Sequence, residues 1–255
     1  MKTGLYYFSS TGNCLTTSRI LKEALEDCDL IPLAALKNLA KIKVEYQRVG
    51  FIIPIYYGDM PFLVRQVISK MEFDESVYIF LMATYRGHPG DIAKRLDDLL
   101  HQQNASLALD LGISMPGNSY LSTKEQIKET LTNQKANILK QIPLITDQVR
   151  KDYSHNETPK PSKVGLKAYN MRGIKVDENC VGCGICVKVC PMNNIKIENG
   201  HAVIGDNCIT CLACFHWCRQ EAIYMSKEKD IERREKYHHP DVTLIDIINQ
   251  KGDCK

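Results

Sequence analysis

The chain has 255 residues, of which 44% are apolar and 25% charged, with a formal net charge of +3 at pH 7. This is enough chain for two domains of unequal size, and the balance is that of a soluble globular protein. Positive and negative residues are interspersed rather than blocked, which argues against nucleic acid or an anionic membrane as a partner, and no apolar run reaches the length of a bilayer span. The start, MKTGLYYFSS, has no charged segment leading into a continuous apolar stretch, so a cytoplasmic protein is expected.

Up to about residue 150, short apolar runs alternate with helical periodicity, the pattern of an α/β domain with a parallel sheet and helices on both faces. Five strands are predicted: Thr3 to Phe8, Leu30 to Leu33, Arg48 to Pro54, Val77 to Ala83 and Ala105 to Ile113. The third and fourth are almost continuously apolar, as strands buried on both faces should be. Leu15, Leu21 and Leu25 mark the first helix, and Ile92, Leu96, Leu99 and Leu100 form a stripe after Pro89 and Gly90. Ser122 with Glu125 resembles a capping box opening a long helix through about residue 150, which Pro143 is expected to kink.

Residues 151–175 are rich in Lys, Pro, Ser and Asn without sustained period, and read as a linker. Two segments related by a shift of 28 residues follow, opening at Asn179-Cys180 and Asn207-Cys208, which indicates duplication of one small unit. From residue 226 a charged tail is expected, helical again at TLIDIINQ. His238-His239-Pro240 reads as a helix stop in solvated chain.

Eight of the eleven cysteines form two quartets, Cys180, Cys183, Cys186, Cys190 and Cys208, Cys211, Cys214, Cys218, both spaced C-x2-C-x2-C-x3-C. Zinc ligands usually come as separated C-x2-C pairs, and a third cysteine at the same spacing has no role in one tetrahedral site. Three thiolates on a tight loop instead suit one face of an iron–sulfur cube. Over residues 176–225 the sequence resembles bacterial-type two-cluster ferredoxins. The resemblance implies two 4Fe-4S clusters with crossed ligands, one on Cys180, Cys183, Cys186 and Cys218 and the other on Cys208, Cys211, Cys214 and Cys190. Pro191 follows the first quartet but Arg219 the second, a departure from the family pattern that bears on the local turn. Gly182 and Gly184 allow backbone N–H groups to approach the sulfurs, whereas the second loop has Thr210 and Leu212 in their places. His216 and Trp217, beside the last ligand, read either as packing or as a shield or docking surface.

The remaining thiols carry less. Cys14, at a helix start, reads as a small buried residue ahead of a reactive thiol, and Cys28 and Cys254 have no sequence partner.

Between the first strand and first helix lies Ser9-Ser10-Thr11-Gly12-Asn13-Cys14, whose hydroxyls and backbone N–H groups at a helix start make an anion site. With no Lys or Arg in the loop and no dinucleotide or triphosphate fingerprint, a phosphate monoester fits best. The loop resembles the phosphate loop of flavodoxins, Ser/Thr-x-Thr-Gly-Asn-Thr, with Cys14 in place of the last threonine. That likeness extends over residues 1–150 and implies strand order 2-1-3-4-5, with FMN across the switch point above the strand ends. It places the phosphate on Ser9, Ser10, Thr11 and Asn13, with Gly12 permitting the turn and Cys14 offering only its backbone. The flavin-ring candidates follow the third, fourth and fifth strands: Pro54, Tyr56, Tyr57 and Gly58; Thr84, Tyr85, Arg86 and Gly87; and Asn118. Arg86 and His88 are candidates to face the reduced ring.

Together the halves resemble flavodoxin–ferredoxin fusion proteins of anaerobic bacteria and archaea. This implies an electron-transfer iron–sulfur flavoprotein that works with a low-potential redox partner protein, as donor or acceptor. Two other readings stay open: a flavin-dependent reductase with Tyr85 or His88 as proton donor, and a redox-sensing interaction protein.

Overall fold

The computed structural model describes residues 1–118, 123–153, 173–226 and 236–252. The first part contains β1 (Thr3–Tyr7), α1 (Asn13–Leu25), β2 (Cys28–Pro32), β3 (Ile42–Lys43), β4 (Arg48–Pro54), α2 (Phe62–Ile68), β5 (Met71–Glu72), β6 (Tyr78–Tyr85), α3 (Ile92–His101), β7 (Leu109–Ser114), α4 (Lys124–Leu139) and α5 (Ile142–Thr146). Five of the strands form one all-parallel sheet in the order β2-β1-β4-β6-β7. Counting only sheet members, this is the expected 2-1-3-4-5 order of a flavodoxin-like doubly wound fold. β4 and β6 are buried along almost their whole length, which is why their sequences do not alternate.

Several boundaries differ from expectation for local reasons. The fifth strand begins at Leu109 rather than Ala105, because the intervening chain finishes α3: the Ala105 amide donates to Leu100 O and the Leu107 amide to the Asp97 carboxylate. Leu33 leaves the second strand for a 3-10 turn, Leu33–Leu36. The α4 capping box is made by Thr123 and Gln126, not by Glu125 with Ser122, which lies outside the described residues. The expected kink is a break at residues 140–141, with Pro143 in the first turn of α5, where its missing N–H costs no helix bond. The two-residue strands β3 and β5 pair with each other outside the main sheet and are too short to signal themselves by periodicity.

The second part comprises β8 (Ile174–Val176), α6 (Ile185–Val189), β9 (Ile195–Glu198), β10 (His201–Ile204), α7 (Ala213–Trp217), β11 (Ile223–Met225) and α8 (Leu244–Asn249). β8 pairs with β11 and β9 with β10, both antiparallel. The 28-residue shift superposes α6 on α7 and β9 on β11, so the repeat in sequence is a repeat in structure. It extends to the backbone: Gly182 and Gly184 have positive φ, and so do Thr210 and Leu212 at the equivalent positions. A left-handed leucine costs about 1–2 kcal/mol, so the second loop holds its shape against local preference. Cys190 and Cys218 have nearly the same backbone angles, φ −72, ψ 113 and φ −73, ψ 111. Arg219 therefore leaves the turn that Pro191 shapes unchanged.

A small apolar cluster of Ile195, Leu212, Phe215, Ile223 and Met225 lies among the cysteines. The larger core is shared: Val189, Ile209, Ala213, Trp217, Val242 and Ile247 join the cluster built on Leu5, Phe51 and Leu81 of the sheet. The described tail is part of this packing rather than solvated chain. His239 is 1% exposed, and the His238 ring stacks on Trp217 with centroids 4.4 Å apart. Cys254 and most of the expected linker lie outside the described residues.

Candidate functional site

The loop between β1 and α1 lies at the carboxyl ends of the strands, where β1 and β4 diverge to opposite neighbours. Gly12 takes φ +100, and a Cβ there would meet the Cβ atoms of His239 and Val242 at 2.9 Å, so this turn requires glycine on both counts. The Gly12 amide donates to Ser9 Oγ at 3.0 Å, folding the loop on itself. Among the described residues, the amides of Ser10, Thr11 and Asn13 and the Thr11 hydroxyl have no protein acceptor or donor. Free donors at the start of a 13-residue helix fit an anion.

These groups border a cleft open to solvent. Of the predicted residues, Ser9, Ser10, Thr11, Asn13, Cys14, Pro54, Tyr56, Thr84, Tyr85, Arg86 and Asn118 line it. Gly12, Tyr57, Gly58 and Gly87 do not. Gly12 sits behind the loop, and Tyr57 and Gly58 form a tight turn with φ +55 and +79, bridged by Tyr56 and Asp59. Ile55, Met115, Pro116 and Gly117, outside the predicted set, complete the lining. Tyr56 is buried and its hydroxyl shares a 3.1 Å hydrogen bond with Ser10 Oγ. Cys14 is also buried, with its sulfur 3.1 Å from Thr84 Oγ1. Burial pushes its thiol up to about 12, partly offset by that contact. This is the unreactive packing role. Arg86 and His88 are exposed.

The cysteine side chains fall into two neighbourhoods. Burial, reinforced by repulsion from Cys180, Cys183 and Cys218, raises Cys186 to about 11. Cys208 is raised by burial and by Cys190, Cys211 by burial with Cys190 and Cys208, and Cys214 by burial with Cys211, Cys190 and Cys208. Cys218 thus acts on the Cys186 thiol of the first loop and Cys190 on the thiols of the second, while Cys214 also feels Cys186. Thiols crowded this way resist ionisation until cations replace their protons. Backbone amides already point at sulfur: Ala202 to Cys180, Asn194 to Cys190 and Thr210 to Cys208, each at 3.4 Å. Among the described residues no three His, Cys, Asp or Glu are gathered around a single metal ion. A four-iron cube is wider than a mononuclear tetrahedral site and takes thiolates further apart.

The second cysteine loop touches the cleft directly. Asn118 Nδ2 lies 3.3 Å from Ser10 Oγ, 3.4 Å from Tyr56 OH and 3.2 Å from the Cys211 carbonyl. His216 accepts the Tyr237 amide at Nδ1, so Nε2 carries the proton that it donates to Asn118 O at 2.7 Å. Trp217 Nε1 donates to Ser10 O at 3.0 Å. Burial, then the nearby Cys211, pushes the Tyr56 phenol well above its ordinary range. His216 and Trp217 are therefore neither solvent-facing nor simple filler, and the tail reaches the loop as well, through Tyr237 and Gln250, which sequence reading passed over, and His239, which it took for part of a helix stop. Their only sequence signal was an aromatic and two histidines inside a charged stretch.

Residues 167–223 match the family model of a 4Fe-4S dicluster domain. No curated protein matches the chain. Among solved structures it is similar to a flavoprotein from Bacteroides eggerthii, at 18% identity and TM-score 0.40, over 57% of this chain and 98% of that one. It is also similar to general stress protein 14 of Treponema denticola, in complex with FMN, at 11% identity and TM-score 0.41, over 58% and 99% of the two chains. A Streptococcus pneumonia flavodoxin aligns at 13% identity and TM-score 0.34, over 55% and 98%. The fold assignment stands on the sheet order of this chain's own strands. No helix among the described residues is long and apolar enough to cross a membrane.

Proposed function

We propose that this chain, which fits a flavodoxin–ferredoxin fusion, carries electrons between two 4Fe-4S clusters and an FMN held within the same molecule. Cys180, Cys183, Cys186 and Cys218 would hold one cluster, and Cys208, Cys211, Cys214 and Cys190 the other. The observation that carries the reading is the seam between the halves, where Asn118 joins the Cys211 carbonyl to Ser10 and Tyr56 of the cleft. On this reading the Cys208–Cys214 loop is the near station and the Cys180–Cys186 loop the outer one. When bound, FMN takes up electrons singly or in pairs, while each cluster passes one at a time.

The protein's part is placement and exclusion of water. The Thr11 hydroxyl and the amides of Ser10, Thr11 and Asn13 bind a terminal phosphate, and Gly12 lets the turn form. Pro54, Tyr56, Thr84, Tyr85, Arg86 and Asn118 wall the ring end of the cleft. The outer loop presents an exposed Cys183 and Val181, the latter 63% exposed, where a low-potential redox partner protein can approach. A cytoplasmic setting belongs to the same proposal, since it keeps the thiols reduced for iron loading.

Anaerobic purification followed by flavin, iron and sulfide analysis tests the assignment. Eight irons, eight sulfides and one FMN per chain are expected for two clusters and one flavin. A single zinc, or flavin without iron, would overturn it.

A further inference from the structure

From Ser9 to Asn13, each residue of the β1–α1 loop is held from behind by the iron–sulfur half or the tail that follows it. The Ser9 amide donates to Gln250 Oε1 at 3.1 Å, and Ser10 O accepts from Trp217 Nε1 at 3.0 Å. Thr11 O accepts the His239 amide at 2.7 Å, Gly12 rests on His239 and Val242, and Tyr237 OH donates to Asn13 Oδ1 at 2.6 Å. The geometry of the peptide unit turns these contacts into aim. In a planar trans peptide the carbonyl and the following N–H point in opposite directions. Fixing Ser10 O on the Trp217 indole therefore directs the Thr11 amide the other way, toward the cleft.

Trp217 is in turn placed by the cysteine loop. It ends α7, a five-residue helix entered through left-handed Leu212, containing Cys214 and followed by Cys218. So short a helix is not stable alone, and its entry is strained; Ala213 and Trp217 hold it by packing into the shared core, and Cys214 and Cys218 tie it to the thiol clusters. His216, next to it, is buried and takes the Tyr237 amide on Nδ1, tying the tail to the same helix.

We propose that the iron–sulfur half forms the outer wall of the phosphate subsite: Trp217, backed by Tyr237 and His239, is a positioning residue that aims the Thr11 amide, so phosphate-selective flavin binding requires an assembled cluster on Cys190, Cys208, Cys211 and Cys214. This rests on the flavin reading above. It adds that the iron–sulfur half is part of the binding site, and that losing the near cluster releases FMN while leaving the ring end of the cleft in place.

The test compares FMN with riboflavin, which lacks the phosphate, by flavin fluorescence quenching on the full chain under anaerobic conditions. The cluster-loaded protein binds FMN more tightly than riboflavin. Trp217→Phe, with iron and sulfide contents verified as unchanged, keeps an aromatic ring against His238 but loses the indole N–H. Its FMN affinity falls about tenfold, within the range for one hydrogen bond that orients a charge-binding donor, while its riboflavin affinity stays the same. Iron removal by a chelator produces the same phosphate-selective loss, and cluster reconstitution restores the preference. Equal losses for both ligands, or no loss in either treatment, overturn the proposal while the flavin reading stands. If the loaded protein binds neither ligand, the flavin reading itself falls and the proposal with it.

Discussion

Thr11 lines the cleft, and among the described residues its hydroxyl is the one in the loop without a hydrogen-bond partner, since those of Ser9 and Ser10 are engaged. Thr11→Val keeps the shape and removes the donor. Since a hydrogen bond to a charged group is worth about 1.5–3 kcal/mol, FMN should bind at least tenfold more weakly, with the thermal midpoint unchanged. Isothermal titration checks this, and unaltered affinity would mean that the phosphate lies elsewhere. Cys14 was legible only in part. Its replacement of a threonine was plain in the sequence, but its contact with Thr84 depends on how β6 meets α1. With the thiol pushed up to about 12, almost no thiolate exists at pH 8, so iodoacetamide should leave Cys14 unmodified in the folded chain by peptide mass spectrometry. The crossed thiol neighbourhoods give a third residue-scale outcome. Cys190→Ser should perturb the electron paramagnetic resonance signal of the cluster proposed on Cys208, Cys211 and Cys214 and spare the other; the reverse pattern would refute crossing.

At the scale of elements, the strands of the main sheet and the duplicated cysteine units could be read from apolar runs and spacing, because both patterns are set within one segment. The tail could not. Its residues are polar, and their burial comes from a surface formed by three other segments: Thr11 and Gly12, Gln134 of α4, and Trp217. Only the α8 capping box, Thr243 with Asp246, is local enough to see in sequence. His239 shows what the docking entails. Nδ1 accepts the Asp241 amide and Nε2 donates to Gln134 Oε1, so the ring is neutral. Burial lowers its pKa below 6.5, with His238 adding to the shift and Asp241 opposing it. A depressed folded-state pKa gives a contribution that is fully present above about pH 6.5 and lost as pH falls through the lower folded-state value. The thermal midpoint should therefore fall from pH 7.5 toward pH 5.5, and His239→Gln should reduce that slope. Clusters that are themselves acid-sensitive add the same background to both proteins, so equal slopes would dismiss the histidine.

For the whole molecule, the sequence suggests two domains joined by a loose linker, but their contact faces cannot be read from it, because Trp217, Val242 and Ile247 look like ordinary residues of their own segments. They enter the core that Leu5 and Phe51 begin. A chain cut after residue 150 would expose that face and the backs of Ser9 to Asn13, so it should be less soluble and less stable than the full chain. The shared core also decides how electrons should move. Domains that associate only by chance would transfer between molecules, at a rate rising with concentration. Domains that share a core keep the Cys211 loop against Asn118 and Tyr56, so transfer should be internal. After rapid mixing with a low-potential reductant that reacts preferentially with clusters, at saturating FMN, flavin bleaching should follow cluster bleaching with a rate constant unchanged over a tenfold range of protein concentration. Cys186→Ala, which removes a proposed ligand of the outer cluster, should slow flavin reduction because the outer station is lost while the near loop keeps its own proposed ligands. A rate proportional to protein concentration, or one indifferent to Cys186, would show that the two halves are packed together without passing electrons to each other.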